Sequence, residues 1–297
     1  MASPLRLIKK FKTLQLTLFL IFTTILFIFS SRSKSPVKTN SFGLSKEERT
    51  WMEDFFKGIM IQEDAIYTLC GTKPLTRIII NYYTQEDKKA FVEQMTEEQK
   101  VNAVWTADYQ LAENWEKWMK IRERFPVNRY LLFKKPHPDP KLAMLYFVDI
   151  LKLAGTLQEY YDLFSRETGI DFDPMEVVLN MEQGSEFWDR VWDKSINNAA
   201  LIGVLFGYGV KNSFCFQWKG WPSAQFEKIA DSIKPRFCSQ DMQGGEATID
   251  RLSIPAFASF FDEDEVVEKY TRERDKIKKI YQGQDFLDLT LSKLTGS

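Results

Sequence analysis

From Leu14 to Phe29 the chain runs LQLTLFLIFTTILFIF, sixteen residues without a charge. Taken from Phe11 to Ser31 as a helix of about 21 residues, this stretch spans roughly 30 Å, the thickness of a bilayer's hydrocarbon core. A soluble fold would have to wrap such a helix on every side, whereas a bilayer satisfies it directly. The expected organisation is therefore a basic segment (1–12), a transmembrane anchor (13–31), a linker (32–43) and a globular domain (44–297). Lys12 sits where its ammonium can snorkel, and Thr17, Thr23 and Thr24 can bond back to their own helix carbonyls.

Arg6, Lys9, Lys10 and Lys12 precede the stretch, and Arg32, Lys34 and Lys38 follow it. With the amino terminus added, the balance favours the amino end inside and the domain outside. A cleaved signal peptide is the competing reading, since it also has a charged head and an apolar core. Against it, the core exceeds the usual length of about 7 to 15 residues. No A-x-A pattern follows either, although Ser31-Arg32-Ser33 places small residues at that spacing. A buried helix of a soluble protein is a third reading. No cysteine closes the apolar run, which argues against a lipoprotein.

The net charge is -1, from 40 basic and 41 acidic residues, so nothing draws the chain to nucleic acid. Few Gly and Pro beside 24 Phe, 11 Tyr and 8 Trp point to a helix-rich domain with an aromatic core. Cys70, Cys215 and Cys238 are an odd set without C-x-x-C spacing, so neither a zinc site nor a disulfide framework is indicated. A Cys215–Cys238 bridge stays open if the domain is outside, beside the plainer reading of buried free thiols.

Ser45 with Glu48 forms a capping box. The helix it opens continues through Trp51, Phe55, Ile59 and Ile66, with Gly58 as a candidate break and Gly71 as C-cap. A turn from Cys70 to Thr76 leads into a strand over Arg77–Tyr83. Thr84 with Asp87 opens a charged helix. Thr96 with Gln99 opens a long one whose apolar face (Val101, Trp105, Leu111, Trp115, Trp118) reaches Phe125 before Pro126 ends it. Asn128–Lys134 and Leu142–Val148 flank a proline-rich loop and read as an antiparallel pair. Asp149 caps a helix closed by Gly169, and Asp173-Pro174 and Ser185 start two more.

Ile196–Tyr208 is apolar nearly all round yet too short to cross a bilayer, and so reads as the central buried helix. Ser213–Lys219 sets Phe214, Phe216 and Trp218 against Cys215 and Gln217, the period of a strand. Pro222–Pro235 reads as a surface helix, Ser239–Glu246 as loop, and Thr248–Phe257 as partly extended. A last helix, Asp262–Tyr281, is acidic at its start and basic at its end, as the helix dipole favours. The expected fold class is α+β: a helix-dominated domain with a small, mainly antiparallel sheet, preceded by one N-terminal transmembrane helix.

The chain contains no Walker loop, G-x-G-x-x-G, G-x-S-x-G or H-E-x-x-H. Its one histidine, His137, lies between prolines. No catalytic residue, metal ligand or cofactor is expected. A Cys70–His137 dyad and a helical face of Glu186, Asp189 and Asp193 are the catalytic arrangements weighed against structural readings. The strongest binding candidate is the Gly71–Thr76 turn with Arg77. Thr72, Lys73, Thr76 and Arg77 could hold an anion against backbone N–H groups, the plainer reading being a glycine C-cap and a proline joining helix to strand. Trp105, Trp115 and Trp118, with Trp218 and Trp221, could stack on sugar rings or simply fill a core. Gly203 and Gly207, four apart, permit close backbone packing or a cofactor cradle, with Gly209 ending the helix.

Two segments, Ala65-Ile66-Tyr67-Thr68-Leu69-Cys70-Gly71-Thr72-Lys73-Pro74-Leu75-Thr76 and Leu201–Ser213 with its Gly207-Tyr208-Gly209-Val210-Lys211-Asn212 centre, resemble a group of membrane-anchored proteins of chlamydia-type intracellular bacteria. The group carries no assigned activity. The resemblance implies a bacterial host and the inner, cytoplasmic membrane, with the domain on the periplasmic side. The expected function is a non-enzymatic envelope domain that binds a partner, an envelope protein, beside the membrane itself. The alternative is a membrane-tethered hydrolase or transferase that acts on envelope glycan or phosphate esters through carboxylates.

Overall fold

The computed structural model describes residues 42–96, 110–193, 198–219, 236–237 and 246–296. The Leu14–Phe29 stretch, residues 97–109 with Trp105, the expected helix at 222–235 with Trp221, and Cys238 lie outside the described residues. No helix among the described residues is long and apolar enough to cross a membrane.

The centre of the domain is an antiparallel sheet of β1 (Leu75–Asn81), β2 (Tyr130–Pro136) and β3 (Leu142–Asp149), in the order β1-β3-β2. Side chains alternate across a strand, and here both faces are apolar. Ile78, Ile80, Leu145 and Phe147 enter one core, while Leu75, Phe133, Tyr146 and Val148 enter another.

Helices from both ends of the chain cover the first face: α1 (Lys46–Phe56), α2 (Ile66–Cys70) and, after α3 (Gln85–Gln94), α4 (Leu111–Ile121). The second face carries a continuous run of helices: α5 (Ile150–Glu159), α6 (Tyr161–Thr168), α7 (Pro174–Leu179), α8 (Glu186–Trp192) and α9 (Ala199–Leu205). Then α10 (Val210–Lys219) follows, and β4 (Arg236–Phe237) pairs with β5 (Ala258–Ser259). The chain returns to the first face with α11 (Glu265–Tyr281) and α12 (Phe286–Thr295). Helix dominance with a small antiparallel sheet matches the expected α+β class.

Local hydrogen bonds explain most helix starts. Ser45 and Glu48 exchange both bonds of a capping box, as do Thr84 and Asp87. Asp149, Asp173 and Ser185 each accept from an N–H in the first turn of the helix that follows.

Other expectations are corrected. Gly58 does not divide the first helix. The backbone instead winds on as a π-helix over Lys57–Gln62, which turns Gly58, Ile59, Met60 and Ile61 all into the core, and the break comes at Asp64, with φ 59°. The long helix expected from Thr96 cannot run unbroken into α4, because Gln110 stands at its start in the left-handed region, φ 48°. Tyr160 (φ -109°, ψ 27°) separates α5 from α6 within the helix expected to reach Gly169. The helix expected to run to Gly209 ends four residues earlier, at Leu205.

The expected strand at Ser213–Lys219 is the helix α10. An alternating run of seven residues fits either period, and here the i,i+4 pair Phe214 and Trp218 brings its ring centroids to 5.8 Å on one helix side. A further helix, α12, follows the one expected to be last. Asp285 caps its start and Gly296, at φ 74°, its end. Arg49 on α1 reaches Asp285 and, at 3.0 Å, Asp288, pinning α12 to α1. The packed region extends back to Phe42, whose ring lies 6.0 Å from that of Phe125.

Candidate binding site

The Gly71–Arg77 segment sends its four candidate side chains in different directions. The Thr72 backbone N–H donates to Glu273 Oε2 on α11 at 3.1 Å, so the chain's own carboxylate stands where an anion would dock. Glycine is needed at 71 for that approach rather than for a left-handed cap. Its φ is -108°, and a Cβ there would meet the Glu273 carboxylate and lie 2.9 Å from the Tyr67 carbonyl oxygen.

Lys73 is buried, and desolvation drives its pKa down against the pull of Asp64 and Glu63. Burial in turn pushes the Glu63 carboxyl up. The Thr76 hydroxyl shares a 2.9 Å hydrogen bond with Thr68 on the first face. Arg77, next in the strand, leaves by the other face, where its guanidinium lies 5.5 Å from the Trp192 ring and 5.4 Å from that of Phe206.

The catalytic arrangements fare no better as geometry. Cys70 precedes the β1 end that pairs with Val148, while His137 lies in the hairpin loop beyond the end that pairs with Leu142. Most of a seven-residue strand, about 20 Å, separates them. Burial also raises the Cys70 pKa, the reverse of what a thiolate nucleophile requires. The Glu186 side chain is 76% exposed and 4.0 Å from Arg190, far in character from buried Lys73, and Asp193 has already left the helix. No three His, Cys, Asp or Glu side chains among the described residues are grouped to hold a metal ion. Trp115 and Trp118 are core residues, the latter stacked on Phe55 and Phe125.

The feature that stands out is a cavity of about 440 Å³ between α9, α10 and the segment before β5. The glycines of the Leu201–Ser213 segment build it. Gly207 and Gly209, at φ 75° and 78°, reverse the chain between the two helices. Gly203 lets Ser213 settle against α9, since a Cβ there would fall 2.8 Å from that of Ser213. While Leu201, Val204 and Leu205 face the core, Ile202 and Phe206 face the cavity, joined by Ala199, Phe216 and Phe257. Tyr208 completes the wall with its ring stacked on Phe257 at 5.2 Å, and burial raises its hydroxyl pKa. Phe216, 51% exposed, stands at the edge.

The Asn212 and Ser213 side chains bordering the cavity already make internal hydrogen bonds. Ser213 Oγ donates to the Gly209 carbonyl. Asn212 donates to Asp264 at 2.8 Å and accepts from the Phe260 N–H at 3.3 Å. Asp264 also accepts from Ser259 and from the Val266 N–H, so one buried carboxylate ties α10, β5 and the start of α11 together. The lining that remains is hydrocarbon and aromatic. The cavity is open to the outside rather than sealed, and apolar walls do not retain ordered water. Its volume falls within the range of about 300–1,000 Å³ typical of ligand pockets.

The tyrosines around this region set an alkaline limit on the fold. Burial raises the pKa of Tyr67, Tyr208, Tyr270 and Tyr281, and that of Tyr130 to about 12. A pKa raised in the folded state means that folding retains a proton the unfolded chain gives up. The contribution is therefore intact below about pH 10 and is lost as pH climbs from there through the folded values. Lys73, Lys135, Lys152 and Lys269, whose pKa values burial lowers, act in the opposite sense and offset part of this loss. The urea midpoint is expected to hold from neutrality to about pH 9.5 and to fall by about pH 11.5, with the buried tyrosines ionising together with unfolding. Ionisation of all eleven tyrosines around pH 10 with the protein still folded would contradict this.

No family model, no curated protein and no solved structure matches this chain.

Proposed function

We propose that this chain is a single-pass, membrane-anchored binding domain that presents the cavity between α9 and α10 on the outer side of the inner membrane and captures an apolar group of its partner there. The observation that carries the reading is the 440 Å³ cavity itself, whose bordering amide and hydroxyl already donate within the fold, leaving a mostly apolar wall suited to binding by burial of apolar surface. The uncharged Leu14–Phe29 stretch supplies the anchor. A linker of about a dozen residues keeps the domain within roughly 40 Å of the bilayer.

Two measurements test this. In spheroplasts, external protease is expected to digest the domain while a membrane fragment retains the Leu14–Phe29 stretch. A protected domain, or a mature terminus beginning near Lys34, would remove the outward-facing anchor. Benzoylphenylalanine at position 216 of the full chain is expected to capture an adduct on irradiation in intact cells, and Ile202→Trp to abolish that capture by filling the cavity. Capture that is absent, or indifferent to the filling substitution, would sink the binding reading.

A further inference from the structure

We infer that the cavity holds a fatty acyl chain, an inference that rests on the binding reading above and names its ligand. Ile202, Phe206, Phe216 and Phe257 present carbon to the interior, and the N–H groups of Asn212 and the O–H of Ser213 are already donated within the fold. A sugar, a nucleotide or an extended peptide backbone would enter at the cost of its own unsatisfied polar groups. Hydrocarbon asks for nothing the wall lacks.

Size narrows the choice between hydrocarbon shapes. The cavity of about 440 Å³ is roughly three times the size of a dry cavity of about 150 Å³ that accepts one benzene. One leucine or phenylalanine from a partner protein would leave most of it empty. A flexible chain of methylenes can fold to fill such a space, each buried methylene adding to the binding. The small side chains of Ala199, Ala256 and Ala258 and the bare backbone of Gly203 make that room, and the half-exposed Phe216 marks where a chain would enter. The anchored reading supplies the source, because a domain held within a short linker of the bilayer meets acyl chains at high local concentration.

The test uses the full chain reconstituted in phospholipid vesicles. One arm contains palmitic acid bearing a terminal diazirine, and the other phosphatidylethanolamine bearing the same group in one acyl tail. After irradiation and digestion, adducts are expected on peptides from 199–219 or 256–258 at a yield at least about tenfold above peptides of α3. The arm that gives them distinguishes a free fatty acid from a lipid-borne chain. Ile202→Trp combined with Ala256→Trp is expected to cut that yield about tenfold while leaving the labelling of residues 14–29 unchanged. Unaltered limited-proteolysis fragments verify that the double variant is folded, and if it is not, the wild-type map alone decides. Labelling of the cavity peptides no higher than that of α3 in both arms overturns the inference. If the lipid probes miss the cavity while position 216 still captures a protein in cells, the acyl ligand falls and the binding reading stands. If both fail, both readings fall.

Discussion

Asp264→Ala is expected to cost the domain about 4 kcal/mol and to spread the cavity open. Asp264 is only 6% exposed, and its carboxylate accepts from Asn212 Nδ2 at 2.8 Å, from Ser259 Oγ, and from the Val266 N–H at 2.8 Å as the N-cap of α11. Loss of the cap is worth about 1 kcal/mol, and hydrogen bonds to a charged acceptor about 1.5–3 each, with incomplete additivity because the three donors share one group. Asn212 and Ser259 would each lose a charged acceptor in a buried setting, Asn212 keeping its bonds to Tyr208 and Phe260 and Ser259 a long one to Phe261, and that loss is where most of the cost arises. For a domain of this size the thermal midpoint should fall by roughly 8–16 °C. Asp264→Asn retains an acceptor for the cap and is expected to lose less than half as much. A thermal shift of under about 3 °C for the alanine variant would mean that this carboxylate does not hold α10, β5 and α11 together.

Gly207→Ala is expected to cost about 2–4 kcal/mol, although it adds a single methyl group. The residue sits at φ 75°, where a Cβ costs roughly 1–2 kcal/mol. That Cβ would also fall 2.6 Å from the Tyr270 hydroxyl and 3.2 Å from Pro74 Cδ, and relieving such overlap costs about 1–3 kcal/mol. Tyr270 would have to swing away and surrender its 3.1 Å hydrogen bond to the Gly207 carbonyl. Gly155, inside α5 with nothing within 4 Å of its added Cβ, is the control. There alanine should stabilise by about 0.5–1 kcal/mol. Chemical denaturation of the two variants beside the wild type checks both signs, and an equal response of the two would show that position 207 is not under the constraint described.

The four residues of the Gly71–Arg77 turn show how one strand boundary changes a site. With β1 starting at Leu75 rather than Arg77, Thr76 and Arg77 become neighbours in a strand and must point to opposite faces. Had the strand been begun at Leu75, the alternation rule alone would have separated them. No rule within the turn could have supplied Glu273, which reaches Thr72 from 201 residues away. The cavity had a legible trace as well. Ile196–Tyr208 is apolar on more sides than a core contact requires, and the surplus residues Ile202 and Phe206 line the pocket.

What can be read from the chain alone is what is decided within four residues or by composition: the capping boxes at Ser45 and Thr84, the Asp-Pro start of α7, the hairpin of β2 and β3, and the dominance of helix over sheet. Each is a short-range hydrogen bond or a backbone preference that needs no distant partner. The helical state of α10, the left-handed start of α4 and the cavity itself were decided by the tertiary structure. Asn212 finds Asp264 at a separation of 52 residues, and Tyr208 finds Phe257 at a similar distance along the chain. An alternating run such as Phe214-Cys215-Phe216-Gln217-Trp218 is compatible with either period until such partners arrive. Desolvation and packing against them then outweigh the few tenths of a kcal/mol per residue by which local propensity leans.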